Sequence, residues 1–379
     1  MTTACITFKQ YLLPMAIMAI YVGCAASLPQ VVNLAIAKKV VSDLNLRTNG
    51  LWTPVLNKRF ASMNINEKRR MTGLRGVKPP PPVPVHANLG TTRRHRVGAT
   101  CTNRVAFDVR TQWPSCADIV NKVHDQTTCA SCWAVSTASA FTDRYCIERA
   151  KRGQSTSAST PNNHFSSLDV LTCSPNSYGC NGGFPDQAWR WIKYNGVTSG
   201  TDYTTSSGCK PYPFPPHSNK NYNTPACAQT CTNSRWSSNY SADKKYGKLR
   251  GIPNSEDGWE FNFAATWVGS LYGNGIVASI QNELRHNGTV VAAMDIYDDF
   301  FYYSTGVYRR VSNNYIGGHA IRLIGWGTRT CTDGTSQDYW LAVNSWNTNW
   351  GQQGVFQIAR GTNDCRIETM GIYFGTPRV

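Results

Sequence analysis

A thiol does covalent chemistry as a thiolate, and a helix N-terminus lowers the pKa of a thiol placed on it. Cys132 is so placed. Cys132, Val135, Ala138, Ser139, Thr142 and Cys146 recur at helical spacing, with no Gly or Pro between Ser131 and Ile147. This predicts a helix of about four turns, rich in Ala and Ser and able to sit close to other backbone. In an oxidising compartment such a cysteine also reads as half of a disulfide. Its company separates the readings: Gln126, Cys129 and Trp133 nearby, His319 behind Gly317-Gly318, then Asn344-Ser345-Trp346. Alone, Gln126 reads as a turn residue and Trp346 as core.

The elements that must position these residues follow an order. Besides the 131–147 helix, Phe184 to Tyr194 and Gly275 to His286 carry helical patterns. Val290–Ile296, His319–Trp326, Tyr339–Ser345 and Gly354–Ala359 are short β-rich runs separated by Gly, Asn and Thr. Helices first and antiparallel strands later make an α+β protein, not an alternating βαβ one. Residues 196–260 are rich in Pro, Ser, Asn and Tyr, which excludes long regular structure there. The aromatic density at Trp259, Phe261, Phe263 and Trp267 reads as a packed excursion.

The 379 residues carry a net charge of +16 and a pI near 9.3, unevenly spread. Residues 1–101 hold 14 Lys/Arg against 2 Asp/Glu, and the remainder 24 against 20. A basic patch confined to the first quarter, without an aromatic-interleaved Lys/Arg helix, argues against nucleic-acid binding by the main domain. That quarter reads as a set of processing segments. Lys9, the apolar run Tyr11–Val22 and small residues to Ala26 form a secretory signal peptide over 1–26, after which no membrane span is expected. Residues 27–101 follow as a pro-segment. Val31, Leu34, Ile36, Val40 and Leu44 share one helical face, and Asn64 to Met71 is a second short helix. Lys78 to Pro84 must be extended, since proline fixes φ and removes donors. Thr91 to Thr100, with Arg93-Arg94-His95-Arg96, is a linker open to proteolysis, and cleavage is expected between about Thr91 and Asn103. The mature domain then spans 102–379.

The 14 cysteines lack paired CxxC knuckles with suitable His spacing, so a disulfide framework fits better than zinc. No metal and no cofactor is expected. Asn239-Tyr240-Ser241 and Asn287-Gly288-Thr289 are glycosylation sequons. All of this indicates the secretory pathway, ending in a lysosome or equivalent acidic compartment or outside the cell.

The block Asp125-Gln126-Thr127-Thr128-Cys129-Ala130-Ser131-Cys132-Trp133-Ala134 resembles the nucleophile segment of papain-like cysteine proteases. Gly317-Gly318-His319-Ala320 resembles the base segment. Asn344-Ser345-Trp346 with Trp350-Gly351-Gln352-Gln353-Gly354 resembles the orienting one, and Cys180-Asn181-Gly182-Gly183 adds a fourth block. Val109–Pro114, Thr142–Cys146, Gly208–Tyr212 and Gly325–Gly327 are most similar to the cathepsin B branch. The resemblance implies a two-lobed fold, with a helical left lobe around a central helix and an antiparallel, β-barrel-like right lobe. It implies peptide-bond hydrolysis, with Cys132 as nucleophile, His319 as its acid and base, Asn344 orienting the ring, and Gln126 with the Cys132 N–H as oxyanion hole. Substrate would run along Gly182, Gly183 and Gly318, fill an S2 pocket of Phe184, Pro185, Ala320 and Met370, and meet Trp346 on the primed side. Carried-over disulfides are Cys116–Cys146, Cys129–Cys180, Cys173–Cys227 and Cys209–Cys231. Of the rest, Cys101 is assigned to the cleaved linker and Cys331–Cys365 is expected as a further pair. Partners implied are protein and peptide substrates, the chain's own propeptide as inhibitor, and cystatin-type inhibitors.

Three departures from the family stand out. Ala130 replaces a glycine beside the nucleophile and is expected to crowd the S1 wall. The segment Pro215 to Pro225 lacks the adjacent histidines and the loop disulfide with which cathepsin B grips a substrate's C-terminus, keeping only His217 and Lys220. Met370 replaces a glutamate at the base of S2. These changes imply an endopeptidase with a hydrophobic P2 preference and weak dipeptidyl carboxypeptidase action. A ligase of the same fold and a catalytically silent binding protein are the competing readings.

Overall fold

The computed structural model describes residues 28–80, 99–157, 164–248 and 274–379. The expected signal peptide, Pro81–Pro84, residues 91–98 and the four aromatics of the 254–274 stretch lie outside those residues.

Helix formation begins in the first described segment with α1 (Leu28–Thr48), β1 (Trp52–Pro54), α2 (Lys58–Ala61) and α3 (Ile65–Arg70). Asn64 caps α3 by accepting from Asn66 and Glu67 N–H, while Glu67 reaches back to the Asn64 N–H, a reciprocal capping box. Of the described α1 side chains, Leu44 is buried and Val40 half-buried, whereas Ile36 is exposed. The side chains of Val31 and Leu34 fall outside the described set.

The main domain opens with β2 (Cys101–Asp108), α4 (Val109–Gln112) and α5 (Ala117–Val120). Then comes α6 (Cys132–Lys151), buried on all sides from Cys132 to Ile147. A helix so enclosed must satisfy its hydroxyls internally. Thr137, Ser139 and Thr142 donate to the carbonyls of Trp133, Val135 and Ala138, at 2.7, 2.7 and 2.8 Å. Around α6 pack α7 (Ser167–Cys173) and α8 (Pro185–Asn195), followed along the chain by α9 (Tyr240–Asp243), β3 (Gly247–Lys248) and α10 (Asn274–Asn287). Phe141, Phe165, Leu171, Trp189 and Ile192 belong to this helical core.

The second layer is a sheet of β4 (Val290–Tyr297), β5 (Tyr303–Tyr308), β6 (Tyr315–Cys331), β7 (Ser336–Val343), β8 (Val355–Ala359) and β9 (Ile372–Tyr373). β1 joins one edge, giving the order β1-β5-β8-β7-β6-β4-β9, and β2 pairs with the distal half of β6. A two-stranded pair, β3 with β10 (Thr376–Pro377), lies apart. The pairing is antiparallel except between β5 and β8, which run parallel, so the sheet is mixed where antiparallel strands are expected. Its core is aromatic, with Trp340, Trp350, Tyr303, Tyr308, Phe300 and Phe356 all buried. The two layers are joined by a buried ion pair, Asp143 of α6 with Arg322 of β6 at 2.5 Å, whose guanidinium also reaches the carbonyls of Val120 and Lys122. Among the described residues no helix is long and apolar enough to cross a membrane.

Cystines join Cys116–Cys146, Cys129–Cys180, Cys173–Cys227 and Cys209–Cys231. The fifth corrects one expectation. Cys331 pairs with Cys101, not with Cys365, because β2 and β6 align in register Cys101↔Cys331 with Cα atoms 3.9 Å apart. Cys101 is therefore tied to the main sheet. Cys365 sits in a separate buried turn beside β4 as a free thiol, donating to Asp364.

Candidate active site

The loop before α6 is clamped so that the helix starts at a fixed place. The Cys129–Cys180 cystine and an Ala130 N–H to Cys180 carbonyl bond of 3.1 Å hold its approach. Cys132 is then the first helical residue, completely buried. On the other side, β6 pairs with β4 at His319↔Met294. Ser136 of α6 donates to the Ala320 carbonyl at 2.9 Å, bringing thiol and imidazole segments together at the junction of the two layers.

The state of the imidazole follows from its neighbours. Asn344 Oδ1 accepts from the Ser345 N–H at 2.7 Å, which identifies it as the carbonyl oxygen of the amide. His319 Nε2, 2.8 Å from the same oxygen, must donate to it. A neutral ring then carries its lone pair on Nδ1, and that atom is buried with no hydrogen-bond partner among the described residues. Burial pulls the imidazole pKa down to about 4, against a smaller opposing pull from Asn344. Trp346 covers the ring, its centroid 5.0 Å from that of His319.

Gln126 is oriented by the same short segment. Ser345 Oγ donates to Gln126 Oε1 at 2.6 Å, and the Ser345 carbonyl accepts the Gln126 N–H at 2.9 Å. The amide nitrogen is thereby turned toward the Cys129 carbonyl (3.0 Å) and the Met71 carbonyl (3.2 Å). Three polar groups far apart in sequence are thus locked by one another.

Residues 71–78 lie across this constellation. The Met71 carbonyl accepts from both Gln126 Nε2 and the Trp346 indole N–H (3.1 Å). Gly73 passes over the thiol: a Cβ there would stand 2.2 Å from the Ala130 oxygen and 3.1 Å from Cys132 Sγ, so only glycine fits. Gly73 and Leu74 N–H donate to the Gly318 carbonyl, Gly183 N–H donates to Gly73, and Arg75 N–H donates to Gly183, all at 2.9–3.0 Å. The segment is a strand laid between two short pieces of backbone. Burial beneath it raises the Cys132 thiol to about 12, despite hydrogen bonds from the backbone of Ala320, Trp133 and Gly73 that pull the other way. Burial thus holds both the thiol and the imidazole neutral, and no hydrogen bond joins them.

Each expected site residue has a definite place. Gly182 has φ of +102° and a Cβ there would meet the Gly73 oxygen at 2.9 Å; one on Gly183 would strike the Trp133 ring. Phe184 precedes α8, Pro185 is its first residue, and Phe184 lies against Gly76. Ala320 is fully buried in the helical core cluster against which Leu74 packs. Met370 is half-buried, its N–H bound to Arg366 O. Ala130 is buried with its carbonyl under Gly73. His217 is exposed, its N–H on Asp125 (2.8 Å), and the Lys220 carbonyl accepts from Thr128. Asn239 is exposed and caps α9, while Asn287 donates to Glu283 at 2.9 Å. Among the described residues no cluster of His, Cys, Asp and Glu is arranged to hold a metal ion.

Two residues escape sequence reasoning. Arg366 pairs with buried Asp295 (2.7 Å) and donates to the Lys78 carbonyl at 2.8 Å. Arg59 of α2 grips Asp125 through both guanidinium nitrogens, each 3.1 Å from a carboxylate oxygen. Neither has a local signal, because each partner lies tens of residues or more away.

Comparison with known proteins gives one pattern. The model of the papain family cysteine proteases matches residues 104–374. Cathepsin B-like cysteine proteinase 4 of Caenorhabditis elegans is 40% identical over 286 residues, covering 72% of this chain and 75% of that protein. Cathepsin B-like cysteine proteinase 6 of the same organism is 35% identical over 348 residues, covering 87% and 80%. Among solved structures, procathepsin B S9 from Trypanosoma congolense superposes with a TM-score of 0.64 at 30% identity, covering 90% of this chain and 98% of that one.

Proposed function

This chain belongs to the papain family of cysteine proteases, in its cathepsin B-like group, and from that premise we propose an endopeptidase in which Cys132 is the nucleophile and His319 its acid and base. The observation that carries the reading is the tautomer of His319: Asn344 fixes Nε2–H, leaving Nδ1 as the basic atom. With the cleft open, Nδ1 takes the thiol proton, and the thiolate attacks the scissile carbonyl carbon. Negative charge on that oxygen is met by Gln126 Nε2 and the Cys132 N–H, an orphan donor at the helix start. The imidazolium returns its proton to the leaving amine, and water then cleaves the thioester with His319 as base. Asn344 keeps the ring in register without adding charge.

Residues from about 27 to the region before Cys101 act as the pro-segment that silences this pair. Uncovering converts thiol plus imidazole into thiolate plus imidazolium, which moves a proton internally and takes up none. The catalytic pair itself therefore gives activation no pH dependence. Any pH dependence of activation must come from the pro-segment's contacts with the main domain, which include the buried ion pair Arg59–Asp125.

The shortened loop supports internal cleavage over removal of C-terminal dipeptides. It offers one histidine, held beside Asp125, where a carboxylate clamp needs more. Met370 supports a hydrophobic P2, since a soft apolar wall gives a cationic side chain no partner. The signal peptide, the sequons at Asn239 and Asn287 and the cystines support a secreted or lysosomal destination.

A covalent epoxide probe and a P2-scanned peptide set test this reading. The probe is expected to label the activated chain and not Cys132→Ser, with Leu or Phe at P2 cut faster than Arg. Labelling of the serine variant, or Arg preferred at P2, would refute the corresponding part.

A further inference from the structure

The Cys101–Cys331 cystine bridges 230 residues and lies at the end of an edge strand instead of in a core. β2 is zipped to β6 from Cys101↔Cys331 through Asp108↔Gly325. The pairing runs past the cystine: Thr332 N–H donates to Thr100 O at 2.9 Å, and Thr100 N–H to Thr332 Oγ1 at 3.1 Å. β6 is shaped to receive this strand. A Cβ at Gly325 would stand 2.3 Å from the Phe107 oxygen, and one at Gly327 2.4 Å from the Arg104 oxygen. Phe107 stacks on Trp326 between them, ring centroids 4.6 Å apart. At the far end Asp108 caps α4 by accepting from Arg110 N–H at 2.8 Å.

We propose that maturation cuts the chain on the N-terminal side of Cys101, and that residues 101–108 stay with the mature enzyme as a stapled edge strand. This rests on reading the preceding residues as the pro-segment. A protease binds its substrate as an extended strand whose N–H and C=O groups are free to pair. In β2 one backbone edge is already spent on β6, whereas a strand in the cleft pairs on both edges, as Gly73 does with Gly318 and Gly183; this holds although the side chains of residues 102–106 are exposed.

The cystine also makes the position of the cut matter for activity. A cut beyond Cys101 would leave the cleft-covering segment attached through Cys331. Lys78, its last contact among the described residues, is 23 residues from Cys101 in the sequence. A connection of that length keeps a severed inhibitor at an effective concentration on the order of millimolar, so it would rebind instead of leaving. A cut before Cys101 frees it entirely.

The test is to activate the full-length chain at acid pH, then determine its N-terminus and its intact mass with and without reduction. The expected N-terminus lies at or before Cys101, with reduction releasing no peptide. An N-terminus at Thr102 or later overturns the inference, whether or not a disulfide-linked fragment appears on reduction. A chain that turns over peptide with residues 52–78 still attached would overturn the pro-segment reading and the inference with it. In Cys101→Ser/Cys331→Ser the terminus is expected to move into 102–108; a terminus that does not move overturns the role given to the cystine.

Discussion

The two walls of the cleft are built and held in different ways. The helical wall carries Gln126, Cys132, Gly182 and Gly183, and the cystine Cys129–Cys180 pins its loops together. The remaining three cystines of that half, Cys116–Cys146, Cys173–Cys227 and Cys209–Cys231, brace its long irregular stretches. The sheet wall carries His319, Asn344, Trp346 and Arg366. It relies mainly on strand pairing and on aromatic packing, with Trp346 stacked on Phe301 at 4.7 Å and tilted against Phe60 of α2 at 5.5 Å. Covalent bracing is concentrated where regular structure is scarce, while the sheet half carries the single cystine Cys101–Cys331 at the end of its edge strand. Because thiol and imidazole come from opposite walls, any strand lying between them controls the charge of both. The neutral pair under Gly73 is the consequence.

That contrast is most sharply probed by removing ionisation from one wall alone. In Cys132→Ser the hydroxyl keeps its proton, so opening the cleft can no longer compensate proton uptake by His319. The covered ring titrates near 4, and an uncovered one near 6.5. The covered state then binds fewer protons throughout that window, so its stability is present above 6.5 and lost as pH falls toward 4. Opening, read from amide exchange of Gly73 and Leu74 corrected for intrinsic rates, is expected to rise about 10²-fold between pH 6.5 and 4. Cys132→Ser/His319→Gln should show that increment removed. Equal pH slopes in the two variants would break the argument that the walls share one proton.

A smaller effect is expected on the helical side from Arg59→Ala. The lost partner leaves Asp125 half-satisfied beneath the pro-segment, and truncating a desolvated ion pair weakens association by about 2 kcal/mol or more. Activation at neutral pH should accelerate about 30-fold; an unchanged activation rate would show that this pair does not hold the segment in place.

The smallest effect belongs to the sheet wall. Arg366→Ala removes one charged donor from the Lys78 carbonyl at a half-exposed position, and a loss of about 1 kcal/mol corresponds to faster pro-segment release of about 5-fold. Burial already raises the Asp295 pKa, opposed by Arg366, so the unpaired carboxyl of the variant can take a proton. Release rates indistinguishable from wild type would limit Arg366 to holding Asp295.

Much of the site could be read from the chain because its residues sit in short, ordered blocks. The helical pattern from Ser131 to Ile147 appears as α6, and the β-rich run at His319–Trp326 lies within the longer β6. Periodicity is local, so it survives without knowledge of the fold. β1, β2 and β5 escaped notice because each is a short or exposed strand whose only justification is its partner. The same cause hid the pairing of Cys101 with Cys331.

What the sequence determined by itself was the set of reactive groups, their order and the elements that carry them, since composition and period encode those directly. Tertiary structure alone decided which cysteines met, which backbone crossed the thiol, and which nitrogen of His319 was left bare. Those outcomes depend on register between distant strands and on burial, and neither is a property of any one stretch of chain. Cys132 heads its helix by local sequence and is buried by what Gly73 lays over it.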